Sequence, residues 1–237
     1  MNYPVAILAG GLGRRLRPST DSIPKVLTEV AGKPFAFHQI ELLRSHGFQR
    51  LVFCVGHHGE MVEERVGGGE QWGIEITYSY DGSELLGTGG ALRKALPELG
   101  EAFFSMYGDA YLDCDYGRIK AAFHLSLKPA LMTILHNADR WNRSNVFYKD
   151  GRINSYDKRD PDPNARHIDY GIGVFLARVI EAYPLGTKID LGRIYQDLIA
   201  NDQLAAYEQP DRFYEIGSSS GLEETRQYLT GRLAVSE

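Results

Sequence analysis

Val5-Ala6-Ile7-Leu8-Ala9 is an unbroken apolar run that stops at Gly10-Gly11-Leu12-Gly13. A run apolar at every position, with no polar alternation, is the pattern of a strand buried on both faces inside a parallel sheet. A glycine-rich turn at its carboxyl end lets backbone N–H groups approach a phosphate with no Cβ in the way. Arg14, Arg15, Arg17 and Lys25 follow, with Ser19-Thr20 and Pro24 between them. A buried strand, a glycine turn and a cluster of cations together indicate a site for a polyanion such as a nucleoside triphosphate.

Two familiar phosphate motifs do not fit. The dinucleotide fingerprint G-x-G-x-x-G takes Gly11 and Gly13 but meets Leu16 at its third glycine. The Walker A pattern needs G-K-[ST], and Gly32-Lys33 is followed by Pro34. The pattern L-x-G-G-x-G-x-R-L-x-P-x-T-x-x-x-P-K does fit, through Leu8, Gly10, Gly11, Gly13, Arg15, Leu16, Pro18, Thr20, Pro24 and Lys25. On these residues the chain resembles the sugar-1-phosphate nucleotidyltransferases, also called nucleotide-sugar pyrophosphorylases.

The bulk properties bound the remaining choices. With 237 residues and 43% hydrophobic content, the natural reading is one large α/β domain spanning 1–237. A net charge of −5 makes the N-terminal arginines a local feature. That speaks against sequence-independent nucleic-acid binding, which needs a broad basic surface, and leaves room for a small anion in a basic pocket. Cys54 and Cys114 form no C-x-x-C pair, so neither a disulfide framework nor a structural zinc is indicated. No apolar run approaches a membrane span or a secretory h-region, and the expected location is the cytoplasm. Whether the chain forms a homo-oligomer stays open.

Strand-like runs at 5–9, 51–55, 74–80 and 102–107 alternate with helix-like stretches at 35–45, 58–66 and 89–96. That order predicts a doubly wound, mostly parallel sheet, Rossmann-like in kind. After about residue 130 the pattern loosens into strands at 131–135, 146–148, 153–156 and 172–176, with a hairpin turn at Gly151. The expectation is a nucleotide-binding half (1–130) and a mixed-sheet sugar-phosphate-binding half (131–237). Ligands in such sheets sit beyond the strands' carboxyl ends. The segments Gly10–Lys25, Gly87–Gly90 and Gly108-Asp109 each follow a strand, so they can converge on one cleft.

The resemblance implies an NTP and a sugar 1-phosphate as substrates, and Mg²⁺ (or Mn²⁺) as cofactor. The implied products are an NDP-sugar and pyrophosphate. It assigns Arg15 and Lys25 to the phosphates and Asp109 to catalysis and the metal. Leu8, Ala9, Gly10, Gly11, Gly13, Arg15, Gly87, Thr88 and Gly108 are implied nucleotide contacts. Glu215, in Phe213-Tyr214-Glu215-Ile216-Gly217, stands where relatives carry Asp as the second metal carboxylate. Asp157-Lys158 matches the family's [ED]-K pair, with Lys158 on the sugar phosphate and Asp157 on sugar hydroxyls. Asp169, Tyr170 and Gly171 match N-[AG]-G, with Asp169 in place of an Asn-like residue. Asn145 either binds the sugar or caps the following strand, and Arg14 either meets phosphate or solvent. GTP with a mannose- or heptose-type 1-phosphate is the implied guess for substrates. Two rivals are a glycosyltransferase using Asp113-Cys114-Asp115 and a silent nucleotide-sugar-binding protein. Adjacent His57 and His58 read as surface or interface residues.

Overall fold

The computed structural model describes residues 2–11 and 23–236, the last four by backbone alone. In chain order the elements are β1 (Val5–Leu8), β2 (Glu29–Val30), β3 (Lys33–Pro34), α1 (Phe35–Ser45), β4 (Arg50–Val55), α2 (Gly59–Val66), β5 (Glu75–Tyr80), α3 (Gly87–Leu99), β6 (Ala102–Tyr107) and β7 (Ala110–Tyr111). There follow α4 (Tyr116–Ser126), β8 (Ala130–His136), β9 (Val146–Lys149), β10 (Arg152–Tyr156), β11 (His167–Leu176), α5 (Ala177–Glu181), α6 (Leu191–Ala200), β12 (Leu204–Gln209), β13 (Tyr214–Glu215) and α7 (Ser219–Ser236).

Nine strands form one sheet. Its first half is parallel, in the order β6-β1-β4-β5, and β1 lies between two strands with every residue buried. Val5 and Ile7 face the layer that holds Ala36, Ile40 and Leu43 of α1. Ala6 and Leu8 face Ala91, Leu92 and Ala95 of α3. A core on both faces is the physical reason the run has no polar alternation.

The second half joins through β11, which runs antiparallel to β6 from Ile172 opposite Met106 to Leu176 opposite Ala102. β11 also pairs with β8, and β12 joins the far side of β8 in parallel. The amino-terminal part of β11 overshoots the carboxyl end of β6. There the β8 register shifts between Asp169 and Gly173, and Gly171 takes φ +105°. Only glycine adopts that backbone without strain. A two-stranded ribbon pairs Glu215 of β13 with Ala110 of β7, and the Ile216 amide donates to the Asp109 carbonyl at 2.8 Å. Three separate stretches of chain therefore meet at the carboxyl end of β6.

Candidate active site

A cleft of about 420 Å³ opens beyond the carboxyl ends of β1 and β6. Leu8, Ala9, Gly10 and Gly11 line one wall, and Gly87 and Thr88 line another. Lys25, Gly108 and Asp109 form the floor, and Tyr107, Asp81 and Cys54 complete the lining. Gly13 and Arg15, with Arg14 and Arg17, fall outside the described residues. Gly108 is needed for close approach: a Cβ there would stand 2.8 Å from the Leu8 carbonyl oxygen.

Lys25 begins a short 3-10 turn and donates from Nζ to Asp109 Oδ2 at 3.0 Å. Its side chain is only 13% exposed, so its charge is aimed into the cleft floor and not spread in water. Helix α1 supports this floor from below. Gln39, fully buried, donates from Nε2 to the carbonyls of Ala110 (2.9 Å) and Tyr107 (3.4 Å). Gln39 was invisible as a site residue in the sequence, although an amide on the apolar face of a helix is the kind of signal that marks one.

Glu215 approaches Asp109 from the β7–β13 ribbon. A Cβ added to Gly217 would stand 2.5 Å from Glu215 Oε2 and 3.1 Å from Asp109 Oδ2, so the two carboxylates face one space that a glycine leaves open. The Glu215 carboxylate also accepts from the Gly217 amide and from Ser218 Oγ. Among the described residues no group of three His, Cys, Asp or Glu could hold a metal by itself. Two facing carboxylates with room for waters and phosphate oxygens suit Mg²⁺, which keeps several waters and rarely takes an all-protein cage. The donor set fits that ion.

The Gly87–Gly90 segment is a joint as well as a wall. Gly89 and Gly90 donate to the Ile189 carbonyl at 2.9 and 3.1 Å. Thr88 Oγ1 donates to Asp190 Oδ1 at 2.7 Å and accepts from the Leu191 amide at 2.8 Å. The Thr88 hydroxyl thus fastens the start of α6 and is not directed at the cleft. Nearby, Asp81 is buried and accepts from the Leu86 amide at 3.1 Å, and burial raises its carboxyl pKa.

On the far side of β6, Lys158 lies 3.2 Å from Asp169 Oδ2. Asp169 is almost wholly enclosed: Tyr156 donates to Oδ2 at 2.9 Å, Tyr107 to Oδ2 at 3.1 Å, and the Gly171 amide to Oδ1 at 3.0 Å. Asn145 Oδ1 accepts from the Asp169 amide at 2.9 Å. Tyr170 is buried, with its ring edge-on to Phe213. Asp157 turns away from Lys158. Its Oδ1 accepts from the amides of Arg159 and Asp160, which lowers its pKa, and its Oδ2 takes Gln196 at 3.3 Å. Of the sugar-side residues, Lys158, Asp169, Gly171 and Asn145 are connected, while Asp157 is held within its own loop and Tyr170 packs in the apolar core.

The Asp113-Cys114-Asp115 triplet is otherwise engaged. Asp115 caps α4 by accepting from the Arg118 amide at 2.9 Å, and Asp113 pairs with Arg232 and with His46. Its carboxylates are anchors for helices, which removes the basis of the glycosyltransferase alternative. His57 and His58 are exposed.

A UTP--glucose-1-phosphate uridylyltransferase from Synechocystis is 32% identical over 205 residues, covering 78% of this chain and 52% of the relative. An N-acetylmuramate alpha-1-phosphate uridylyltransferase from Neisseria meningitidis is 39% identical over 111 residues, covering 46% and 48%. The chain spans about half the length of these relatives. A crystal structure of HddC from Yersinia pseudotuberculosis complexed with GMP-PN is similar in fold. Its TM-score is 0.79 at 24% identity, covering 96% of this chain and 99% of the other. The sequence pattern of the nucleotidyl transferase family matches residues 5–143, across the strand, glycine turn and cleft floor described above, and the chain belongs to that family.

Proposed function

We propose that the chain transfers a nucleotidyl group from an NTP to a sugar 1-phosphate. An oxygen of the sugar phosphate attacks the α-phosphorus in line, the bond between that phosphorus and the bridging oxygen breaks, and pyrophosphate leaves with the electron pair. One observation carries the reading. The carboxyl end of β6 is flanked by two cation–carboxylate pairs, Lys25 with Asp109 on the glycine-turn side and Lys158 with Asp169 and Tyr107 on the other, so each half brings a cation to that strand end. The relatives named above as sugar-1-phosphate uridylyltransferases support the substrate class.

Lys25 would hold the phosphates being joined, and Lys158 the phosphate of the acceptor. The glycine turn at Gly10-Gly11 would admit the triphosphate backbone, and Asp109 with Glu215 would hold Mg²⁺. When bound, that ion neutralises phosphate oxygens as charge moves to the leaving group. The residues themselves orient the two phosphates and exclude water from a partly enclosed floor, which is where most of the acceleration for such a transfer originates. The test is pyrophosphate release with Mg²⁺, screening the common NTPs against hexose, aminosugar and heptose 1-phosphates. One active pair is the expected result, and no release from any pair overturns the reading.

A further inference from the structure

Tyr107 stands where the two halves of the site meet. As the last residue of β6 it pairs with Leu8 of β1, and it belongs to the lining of the cleft. Its hydroxyl reaches the other way. Lys158 Nζ donates to it at 2.9 Å, and it donates to Asp169 Oδ2 at 3.1 Å. Lys158 Nζ is also 3.2 Å from that same oxygen, which closes a three-membered ring of contacts. The ammonium lies 4.3 Å from the centre of the Tyr107 ring, within cation–π range.

The base of this ring is rigid. The Asp169 side chain is 2% exposed and is held by Tyr156 and by the Gly171 amide at the β-bulge. The Lys158 side chain is 48% exposed and sits on a loop, so without these partners it would sample many rotamers. A tyrosine hydroxyl both accepts and donates, so the Tyr107 oxygen takes the Lys158 N–H while its own proton goes to Asp169 Oδ2. An ammonium has three N–H donors. Tyr107 and Asp169 take two, and the third is left for an incoming oxygen.

We infer that Tyr107 is a positioning residue for Lys158, holding its ammonium on the Asp169 anchor so that one donor faces the phosphate of the sugar substrate. This rests on the nucleotidyltransferase reading above. Tyr107 touches no reacting atom in this role, and its effect passes through Lys158. A phenol here also explains why the anchor is an aspartate: a neutral amide at 169 would balance neither the lysine nor two phenol donors.

The experiment compares Tyr107→Phe, Lys158→Ala and the double variant, using the NTP and sugar 1-phosphate identified by the screen. Tyr107→Phe keeps the ring and removes the hydroxyl. Loss of one hydrogen bond to a charged group should raise the KM for the sugar 1-phosphate about five- to twentyfold. The KM for the NTP should stay within about twofold. In the Lys158→Ala background the same change should add nothing, because the group it positions is gone. An equal effect in both backgrounds, a rise in NTP KM alone, or an unchanged sugar-phosphate KM would each overturn the inference. If Tyr107→Phe does not fold, Lys158→Arg replaces it, since a planar fork keeps the charge but cannot occupy the same corner; full retention of sugar-phosphate affinity would then count against the inference. A wild-type enzyme that turns over no sugar 1-phosphate overturns the proposed function and this inference together. A wild type that turns over, with Tyr107→Phe unaffected, overturns this inference alone.

Discussion

Lys25 and Asp109 neutralise each other at 3.0 Å in the floor of the cleft, and each loses more than a surface charge would if the other is removed. Asp109→Asn keeps the shape and one acceptor for Lys25. It should cut kcat by about a hundredfold or more at limiting Mg²⁺ while the melting temperature stays close to wild type. Near-normal kcat under that condition would remove Asp109 from the metal assignment. Glu215 differs, because its extra methylene lets the carboxylate reach Ser218 Oγ at 2.6 Å and the Gly217 amide. Glu215→Gln keeps that reach and should lower kcat without lowering the melting temperature. Glu215→Asp gives up both contacts, at about 1–2 kcal/mol, or roughly 2–8 °C in the melt. A stable Glu215→Asp protein would mean that the contacts to the 217–218 turn do not matter. The sequence identifies both carboxylates by resemblance. It does not reveal how they are brought together, because this depends on the two-residue pairing of β7 with β13.

At the scale of elements, what the sequence discloses is what repeats locally. The unbroken apolar run of β1 and the stripe of α1 are buried where their periods place them. β12 is different: Leu-Ala-Ala-Tyr-Glu-Gln carries no strong alternation, and its parallel partner β8 lies some seventy residues earlier in the chain. No local pattern encodes such a crossover. The same holds for the Gly87–Gly90 segment, legible by resemblance as a nucleotide contact but not as a clasp for residues 189–191. Thr88 makes this concrete, since its hydroxyl bonds Asp190 and Leu191 a hundred residues on. Thr88→Val conserves size and removes both bonds. It should cost about 1–3 kcal/mol in stability by chemical denaturation while NTP KM changes by less than about threefold. A large rise in NTP KM with unchanged stability would instead make Thr88 a ligand contact.

At the scale of the molecule, the proposed nucleotide and sugar halves share their cores. One apolar cluster takes Val5, Ile7 and Phe53 from the first half and Ile168, Ile172 and Val174 from the second. A second joins Ala6, Val52 and Leu92 to Val146, Phe175 and Tyr195, and a third joins Phe35 and Tyr111 to Ile216 and Leu229. β6 lies between β1 and β11, so cutting the chain near residue 130 would remove α5 and α6 from beside α3 and leave the β6 edge unpaired. We therefore propose that the chain folds as one cooperative unit. Calorimetry should show a single transition whose van't Hoff and calorimetric enthalpies agree, and a fragment ending at residue 130 should not fold to a soluble monomer. On the proposed function, an NTP with Mg²⁺ that binds only the folded cleft should, at a hundredfold excess over its Kd, raise the whole transition by about 2.7 kcal/mol in free energy. Two resolved transitions, with the nucleotide shifting only one, would divide the chain into separate domains. The coupling through Tyr107 would then have to cross a domain boundary, contrary to the continuous β1-β6-β11 pairing on which it is built.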